Sequence, residues 1–256
     1  MIDLHCHVLP GIDDGPETIE EAVALARAAS AVGIRTIVAT PHVNSRTPND
    51  SDTIARLVDT LNERLAAESV EVEILPGGEI AMTQLAEIEP TELSRLGLGG
   101  SRWLLVEPPF TPVAVGLEGL VQGLQRQGHR VVLAHPERCP ALQRDRQMVH
   151  ALADSGVLMS ITAGSFAGRF GSTVRRYALE LAREGLIHNV TSDAHDTVRR
   201  PPGLSEELEH AGLAPLADWL TQEVPAAILS DAEIPPRPDG TTSSAQRGRR
   251  GWRWRR

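Results

Sequence analysis

Short apolar runs alternate along this chain with longer segments whose apolar residues recur at helical spacing. Seven of the runs are four or five residues long and are bounded by polar or glycine-containing sequence. Runs of this length and composition are typical of buried β-strands. The predicted strands are residues 2–5, 36–39, 72–75, 103–107, 130–134, 157–161 and 189–192.

A helix is predicted between most successive strands. The first spans residues 16–33, where Pro16 precedes an acidic first turn and Gly33 marks the end. Further helices are predicted at 52–68, 114–127, 145–155 and 173–185. Strand followed by helix, repeated, predicts a parallel α/β sheet with right-handed crossovers. Seven such units favour a barrel, although the periodicity by itself leaves an open sheet as an alternative.

Length and composition fit one globular domain. The chain has 256 residues, 41% of them hydrophobic, and contains no apolar run approaching the roughly 18 residues of a spanning helix. The first residues lack a basic start and an apolar segment of the secretory type. Two cysteines, Cys6 and Cys139, are too few for a disulfide framework. These features together predict a cytoplasmic protein.

The last 26 residues differ from the rest of the chain. The net charge is -9, yet residues 231–256 hold seven Arg against three acidic residues, in a stretch rich in Pro, Gly and Ser. This composition predicts a disordered basic C-terminal tail. Its combination of Arg with Trp is typical of segments that contact an anionic membrane surface or nucleic acid, and an incidental solvated extension is the alternative.

Polar side chains follow six of the seven predicted strands. In parallel α/β barrels the active site lies at the carboxyl ends of the strands, so these positions are candidate site residues. Nine of these polar side chains are histidines or carboxylates, and only the sixth predicted strand is followed by none of them. They are His5, His7, Asp14, His42, Glu79, Glu107, His135, Asp193 and His195.

Histidine with Asp or Glu is the ligand set suited to Zn, Mn or Fe. His5 and His7, two apart at a strand end, can direct both rings to one face. Taken singly the candidates have simpler interpretations: the two histidines as a polar strand end, Asp14 as a helix N-cap and Glu79 as a surface carboxylate. Their recurrence after successive strands favours a metal centre. The four other histidines do not follow strands and are predicted to be surface or packing residues.

Cys6 has the alternative interpretation of a catalytic thiol. A nucleophilic cysteine of a phosphatase normally lies in a loop of backbone donors at a helix N-terminus, near an arginine. The residues after Cys6 do not have that pattern. As the middle residue of the His-Cys-His sequence on a strand, Cys6 is predicted to face away from the two histidines, into packing.

Six motifs in order resemble a known family: HCHVLPGIDDGP, ATPHV, LPGGEI, LAHPER, ITAGSFAGRFG and TSDAHD. Together they resemble the polymerase-and-histidinol-phosphatase (PHP) superfamily. Within it they are most similar to the bacterial manganese-dependent protein-tyrosine phosphatases of capsule and exopolysaccharide gene clusters, the CpsB/CapC/YwqE type. The resemblance covers the chain from Met1 to about Leu229.

The resemblance implies a distorted seven-stranded (β/α) barrel of the PHP type, a single domain over 1–230, with up to three divalent ions. Manganese is the implied metal, with Fe or Zn as alternatives. His5, His7, Glu79 and Asp193 are implied to bind one ion, and Glu79 with Glu107 to approach a second that also uses His195. Asp14, His42 and His135 complete the set without assignment to a particular ion.

The implied activity is hydrolysis of phosphotyrosine by a metal-activated hydroxide. Arg138 and Arg200 match the phosphate-binding arginines of the family, and Asp196 or a water is the candidate general acid. The implied partner is a bacterial tyrosine kinase as substrate, and no nucleic acid is expected for the barrel. An oligomer is left open. A small-molecule phosphatase resembling histidinol phosphatase, and a metal-stabilised binding module without catalysis, are the alternatives.

Overall fold

The computed structural model describes residues 1–238, and within them nine β-strands are formed. Every ladder between them is parallel. The strands are β1 (Ile2–Cys6), β2 (Thr36–Ala39), β3 (His42–Val43), β4 (Glu73–Pro76), β5 (Glu79–Ala81), β6 (Trp103–Glu107), β7 (Arg130–Ala134), β8 (Leu158–Thr162) and β9 (Asn189–Thr191).

The strands form two sheets. A three-stranded sheet has the order β1-β2-β4, and a six-stranded sheet has the order β3-β5-β6-β7-β8-β9. The sheets are not closed by a continuous ladder. A single parallel bridge between Cys6 and Ala194, and a hydrogen bond from His7 N to Ala194 O of 2.9 Å, place the end of β1 beside the residues that follow β9.

Two short strands that were not predicted, β3 and β5, follow breaks after β2 and β4, which explains why nine strands appear where seven were predicted. Pro41, which has no N–H for a ladder, separates β2 from β3. Gly77 and Gly78 separate β4 from β5, and a Cβ on Gly77 would lie 2.8 Å from Val38 Cγ1. The chain therefore passes close to β2 at this break. The other predicted strands agree with the structure to within one residue at either end.

Ten α-helices connect or flank the strands in residues 1–238. They are α1 (Ile19–Ala31), α2 (Ser51–Ala67), α3 (Pro90–Arg95), α4 (Leu117–Arg126), α5 (Pro140–Arg144), α6 (Arg146–Asp154), α7 (Ala163–Phe166), α8 (Ser172–Glu184), α9 (Ser205–His210) and α10 (Val224–Leu229). Short 3-10 turns occur at Leu98–Gly100, Pro136–Arg138 and Ala214–Leu216, and a π-helical turn at Trp219–Glu223.

The first helix begins later than the sequence predicts. Thr18 is its N-cap, and the Thr18 hydroxyl accepts a hydrogen bond from Glu21 N. Pro16 and Asp14 therefore lie in the preceding loop rather than at the helix end. The interpretation of Asp14 as an N-cap is wrong, which leaves its carboxylate free for other contacts.

One hydrophobic core runs through the described structure, from Ile2 to Ile228. Leu4 of β1, Ile37 of β2, Leu105 of β6 and Val132 of β7 are fully buried in it. No helix among residues 1–238 is long and apolar enough to cross a membrane.

Residues 231–238 pack on this body, although the predicted tail begins at 231. Asp231 accepts hydrogen bonds from Arg102 N, and Trp219 Nε1 donates to Pro235 O at 3.0 Å. Ile234 contacts the core. The predicted disordered basic segment otherwise falls on residues 239–256, which lie outside the described residues.

Candidate metal centre

The nine predicted ligand residues come together in one cluster, at or after the carboxyl ends of β1, β6, β7 and β9 and at the first residues of β3 and β5. Each has a ligand-type atom in one or more of four overlapping groups, and within a group these atoms lie within 4.8 Å of one another. The groups are His7, Asp14, His42 and His195; His5, His7 and Asp193; His5, Glu79 and His135; and His42, Glu79 and Glu107.

The end of β1 supplies two buried imidazoles. Nε2 of His5 and Nε2 of His7 lie 3.2 Å apart, so the two rings converge on one point. Cys6, which separates the two histidines in sequence, is buried, and its Sγ lies 3.6 Å from Ala194 O. Burial raises the pKa of the Cys6 thiol well above its ordinary value, so this side chain is a neutral packing group, as the sequence predicts.

Asp13 fixes the orientation of His7. Oδ2 of Asp13 lies 2.7 Å from Nδ1 of His7, which makes Nδ1–H the donor and leaves the Nε2 lone pair directed at the cluster. The Asp13 carboxylate also accepts from Gly15 N and His42 N. Burial lowers the pKa of His7, but hydrogen bonds to surrounding carboxylates, led by Asp13, raise it well above the ordinary value. The carboxylates around His7 therefore favour a positive charge here, and a cation bound to Nε2 would supply it in place of a second proton.

Strands β3 and β5 place His42 beside Glu79 in register. Nδ1 of His42 lies 2.9 Å from Oε2 of Glu79, yet neither atom forms a hydrogen bond. Both are buried, and Nδ1 of His135 is likewise buried without a partner. Buried polar atoms without partners are costly, so the close approach of His42 Nδ1 to Glu79 Oε2 fits a cation between these two atoms.

Two carboxylates lie close together around His135. Nε2 of His135 is 2.8 Å from Glu79 and 3.8 Å from Glu107. Burial and then the nearby charge of Glu79 raise the pKa of Glu107 to about 7. A divalent cation would remove this repulsion by binding both carboxylates.

Asp193 connects the histidines to two arginines. Its Oδ2 accepts from Nη1 of Arg138 at 2.5 Å and lies 2.6 Å from Nη2 of Arg200. Its Oδ1 lies 3.5 Å from Nε2 of both His5 and His7. Asp193 and His135 also have positive φ angles of 51° and 32°, a backbone conformation that non-glycine residues adopt mainly where function or packing requires it.

His195 and Asp14 lie next to His7 in one ligand group. Nη1 of Arg200 donates to Nε2 of His195 at 2.8 Å, and Nδ1–H of His195 donates to Asp193 O at 3.1 Å. Burial and the neighbouring His7 lower the pKa of His195, which favours this neutral form with its lone pair on Nε2. Oδ1 of Asp14 is 3.2 Å from the same nitrogen.

The ligand grouping differs from the one that the family resemblance implies for His195. The structure groups His195 with His7, Asp14 and His42, whereas Glu107 lies with Glu79 and His42. The reason is topological. His195 follows β9 and lies beside the end of β1, while Glu107 ends β6 within the other part of the six-stranded sheet.

Asp196, predicted as a general acid, has a different environment. Its Oδ1 accepts from the backbone N–H groups of Val198, Arg199 and Arg200 and so holds its own loop together. Burial raises the pKa of Asp196, but these donors outweigh it and lower the pKa below the ordinary value. The geometry therefore gives no support for Asp196 as a proton donor.

The histidines predicted to be surface or packing residues are outside all four ligand groups of residues 1–238. Nδ1 of His188 accepts from Met159 N at 3.1 Å, and Nε2 of His150 lies 3.3 Å from Glu184. His129 is buried at the start of β7, and His210 ends α9.

Three acids with buried side chains were not predicted as site residues. They are Asp13, Asp3, which accepts hydrogen bonds from Ser192 N and Oγ, and Glu137, which accepts from Thr162 N and Ser165 Oγ. Asp13 adjoins Asp14, and Asp3 interrupts a buried apolar strand. A carboxylate inside such a strand was the available signal, because burial of a charge requires a partner.

Fold and site define a class: parallel α/β proteins with a candidate multinuclear metal centre of His and carboxylate ligands at the strand ends. A solved structure of molinate hydrolase shares this fold alone, with 12% identity and a TM-score of 0.52 over 90% of this chain and 72% of that one.

The chain belongs to the CpsB/CapC family of capsular polysaccharide synthesis, whose family model matches residues 1–212. It is 36% identical to the tyrosine-protein phosphatase YwqE of Bacillus subtilis over 235 residues, 91% of either chain. A putative tyrosine-protein phosphatase of Staphylococcus aureus, CapC, is 34% identical over 204 residues, 78% of this chain and 79% of that protein.

A solved structure from work on YwqE of B. subtilis and CpsB of Streptococcus pneumoniae, described as unique metal-dependent tyrosine phosphatases, superposes with a TM-score of 0.82. The identity is 34%, and the match covers 93% of this chain and 99% of that chain.

Proposed function

We propose that this protein is a metal-dependent phosphotyrosine-protein phosphatase. The observation that carries the proposal is the Asp193 carboxylate, one oxygen of which contacts Arg138 and Arg200 while the other faces His5 and His7. Cation ligands and phosphate-binding groups thus meet at one residue. The names of the relatives support the same activity.

The four ligand groups are the proposed binding sites for up to three divalent ions, with manganese as the first choice and Fe or Zn as alternatives. Overlap between the groups supports a cluster of neighbouring ions. Four residues, His5, His7, His42 and Glu79, belong to two groups each, and of these the Glu79 carboxylate, with its two oxygens, is the candidate for a shared ligand. When bound, such ions supply an activated water and neutralise charge on phosphate oxygens. Asp13 holds Nδ1 of His7 and so keeps the ring oriented with Nε2 toward the cluster.

Arg138 and Arg200 are proposed to hold the phosphate. Both guanidinium groups contact one oxygen of Asp193, and Arg200 also donates to His195 Nε2, so each retains further N–H donors for a dianionic ligand. A phosphate beside Asp193 offers several acceptors in the planar geometry that guanidinium groups recognise. Charge that moves onto these oxygens during hydrolysis would be stabilised by donors already in position.

Tyrosine is proposed as the leaving group because its phenol, with a pKa of about 10, departs more readily than an alkyl alcohol. This reduces the need for a general acid, which agrees with the environment of Asp196.

The proposed fold is a single domain over 1–230 that forms one distorted seven-stranded barrel. In this count, β2 with β3 and β4 with β5 are each treated as a single interrupted strand.

The proposed partner is a bacterial tyrosine kinase of capsule or exopolysaccharide synthesis, which this phosphatase dephosphorylates in the cytoplasm. The family of the chain supports the pathway. The partner follows from the proposed activity, because a phosphotyrosine substrate in a capsule pathway requires a kinase that phosphorylates it. The compartment is proposed from the sequence features alone.

The test compares wild-type protein with His5→Ala and with the matched control His150→Ala, whose imidazole is half exposed and pairs with Glu184. After chelation and Mn²⁺ restoration, wild type and His150→Ala should hydrolyse a phosphotyrosine peptide, and His5→Ala should lose at least about 100-fold in kcat/KM. Equal rates for His5→Ala and wild type would refute the proposal. Faster turnover of histidinol phosphate than of the peptide would favour the small-molecule phosphatase. Binding of the peptide without turnover would favour the non-catalytic binding module.

A further inference from the structure

The loop that follows β6 borders the metal centre. It runs from 108 to 116 directly after Glu107, and three of its residues are prolines, which limit its backbone freedom. Cys139 Sγ donates to Pro109 O at 3.3 Å, and Thr111 Oγ1 donates to Val113 O at 2.7 Å. The loop is therefore held against the residues that follow β7.

Phe110 in this loop contacts two residues of the centre. Its ring stacks on the imidazole of His135 with centroids 5.5 Å apart and planes inclined by 20°. The guanidinium carbon of Arg138 lies 5.2 Å from the Phe110 centroid and 4.5 Å from that of Phe170. Two of the three phenylalanines in the chain thus flank one phosphate-binding arginine.

Half of the Phe110 surface is nevertheless open to solvent, at 50% exposure. A phenyl ring contributes most to stability when its whole apolar surface is covered, so folding gains little from leaving this one open. Aromatic surface beside a charged site, held by a restrained loop, is instead suited to contact with an apolar part of a ligand.

We infer that Phe110 is a specificity-determining residue that packs against the ring of an aryl phosphate held by Arg138. The inference rests on the proposed function and deepens it, because it supplies a reason why phosphotyrosine would be preferred over alkyl phosphates. In an aryl phosphate the ring is attached directly to the ester oxygen, so a phosphate near Arg138 carries the ring to the surface formed by Phe110. A seryl phosphate presents only a methylene group there.

The first experiment measures kcat/KM of manganese-restored Phe110→Ala on two peptides that differ only in phosphotyrosine against phosphoserine. Loss of one aromatic pair should lower the phosphotyrosine value about three- to tenfold, mainly through KM, and the phosphoserine value much less. Phe110→Tyr should retain the preference. Val115→Ala, a change at an 84% exposed position of the same loop, is the matched control and should behave as wild type.

The second experiment does not depend on turnover. Binding of phenylphosphonate and of inorganic phosphate is measured by calorimetry on wild type and Phe110→Ala. The affinity for phenylphosphonate should fall about three- to tenfold while that for phosphate changes by less than about twofold. Equal losses for both ligands, or for both peptides, would overturn the inference, since they would mean that Phe110 only supports Arg138 and His135. Wild-type protein that binds phenylphosphonate through Phe110 but hydrolyses no phosphotyrosine would refute the proposed function alone.

Discussion

At the scale of single residues, the centre depends on proton positions as much as on ligand identity. Nδ1 of His7 is committed to Asp13 and Nδ1 of His195 to a backbone carbonyl, so both rings present Nε2 to the cluster. A hydrogen bond at one imidazole nitrogen decides which nitrogen remains available to a cation. Asp13 is therefore as important to the proposed site as a direct ligand.

Asp13→Asn should weaken the site without unfolding the protein. The amide cannot accept at every position where the carboxylate now meets His7 Nδ1–H, Gly15 N and His42 N, so His7 loses its fixed orientation. Manganese affinity and phosphatase activity are expected to fall about 10- to 100-fold. Asp145→Asn, at an exposed helix N-cap where asparagine serves equally well, is the control. Unchanged manganese affinity in Asp13→Asn would contradict this role.

His188 lies outside the metal centre, and its lowered pKa predicts that the free energy of unfolding depends on pH. Burial and then the charge of Arg237 lower its pKa to about 4, against 6.5 for the ordinary side chain. The unfolded chain therefore binds a proton below about pH 6.5 that the folded chain takes up only near pH 4, so this residue makes the protein lose stability as pH falls between these values.

His188→Asn keeps an acceptor for Met159 N and removes the titration. Free energies of unfolding measured in urea from pH 8 to pH 4 should decline less steeply for this variant than for wild type, with the two curves diverging below about pH 6.5. Parallel curves over that range would show that His188 is equally basic in both states.

At the scale of elements, the breaks in β2/β3 and β4/β5 position the ligands. They allow His42 and Glu79 to pair across β3 and β5, so that one side chain from each element enters the cluster. The loop after β1 is equally constrained, because Gly15 lies against the backbone of His7 and a Cβ there would be 2.3 Å from His7 O.

Gly15→Ala and Gly119→Ala should have opposite effects. The first forces a backbone contact to move and is expected to cost about 1–3 kcal/mol of stability and most of the activity. In the second, a methyl on α4 meets no atom within 4 Å, and the helix should gain about 0.5–1 kcal/mol. Urea unfolding and phosphatase assays measure both, and a Gly15→Ala protein as stable and active as wild type would contradict the close approach.

At the scale of the whole molecule, the centre unites elements from every part of the chain. Ligand residues lie at or after the ends of β1, β6, β7 and β9 and at the starts of β3 and β5, so a cation bound there would connect the two sheets as well as neutralise their carboxylates. The unfolded chain cannot offer this arrangement, and cation binding therefore stabilises the folded state selectively.

Manganese should consequently raise the melting temperature of chelator-treated protein. At a free concentration 100 times Kd, one ion adds about 2.7 kcal/mol of stability. Glu79→Gln, which alters a carboxylate shared by two ligand groups, should lose most of this increase, whereas the surface change His150→Gln should keep it. Calorimetric melting with and without Mn²⁺ is the measurement, and a metal-independent melting temperature in wild type would count against a structural contribution.

Much of the fold was accessible from the sequence because parallel strands buried on both faces are continuous apolar runs, and helices have their own period. The predicted ends of β6 and β7 agree with the structure. The two additional strands were not predicted because β3 and β5 have only two and three residues, too few for any period to show.

The sequence by itself determined the nine ligand-type residues, the six motifs and the family. The reason is that ligand chemistry depends on residue type, and position after a strand can be read from the apolar pattern. Only the tertiary structure decided which residues lie together. In the structure, His195 lies with Asp14 rather than with Glu107, and Asp13 contacts His7. The Asp196 carboxylate accepts hydrogen bonds from its own loop, and Phe110 contacts Arg138. These outcomes depend on contacts between distant segments, and residue order does not specify distances of a few ångströms between them.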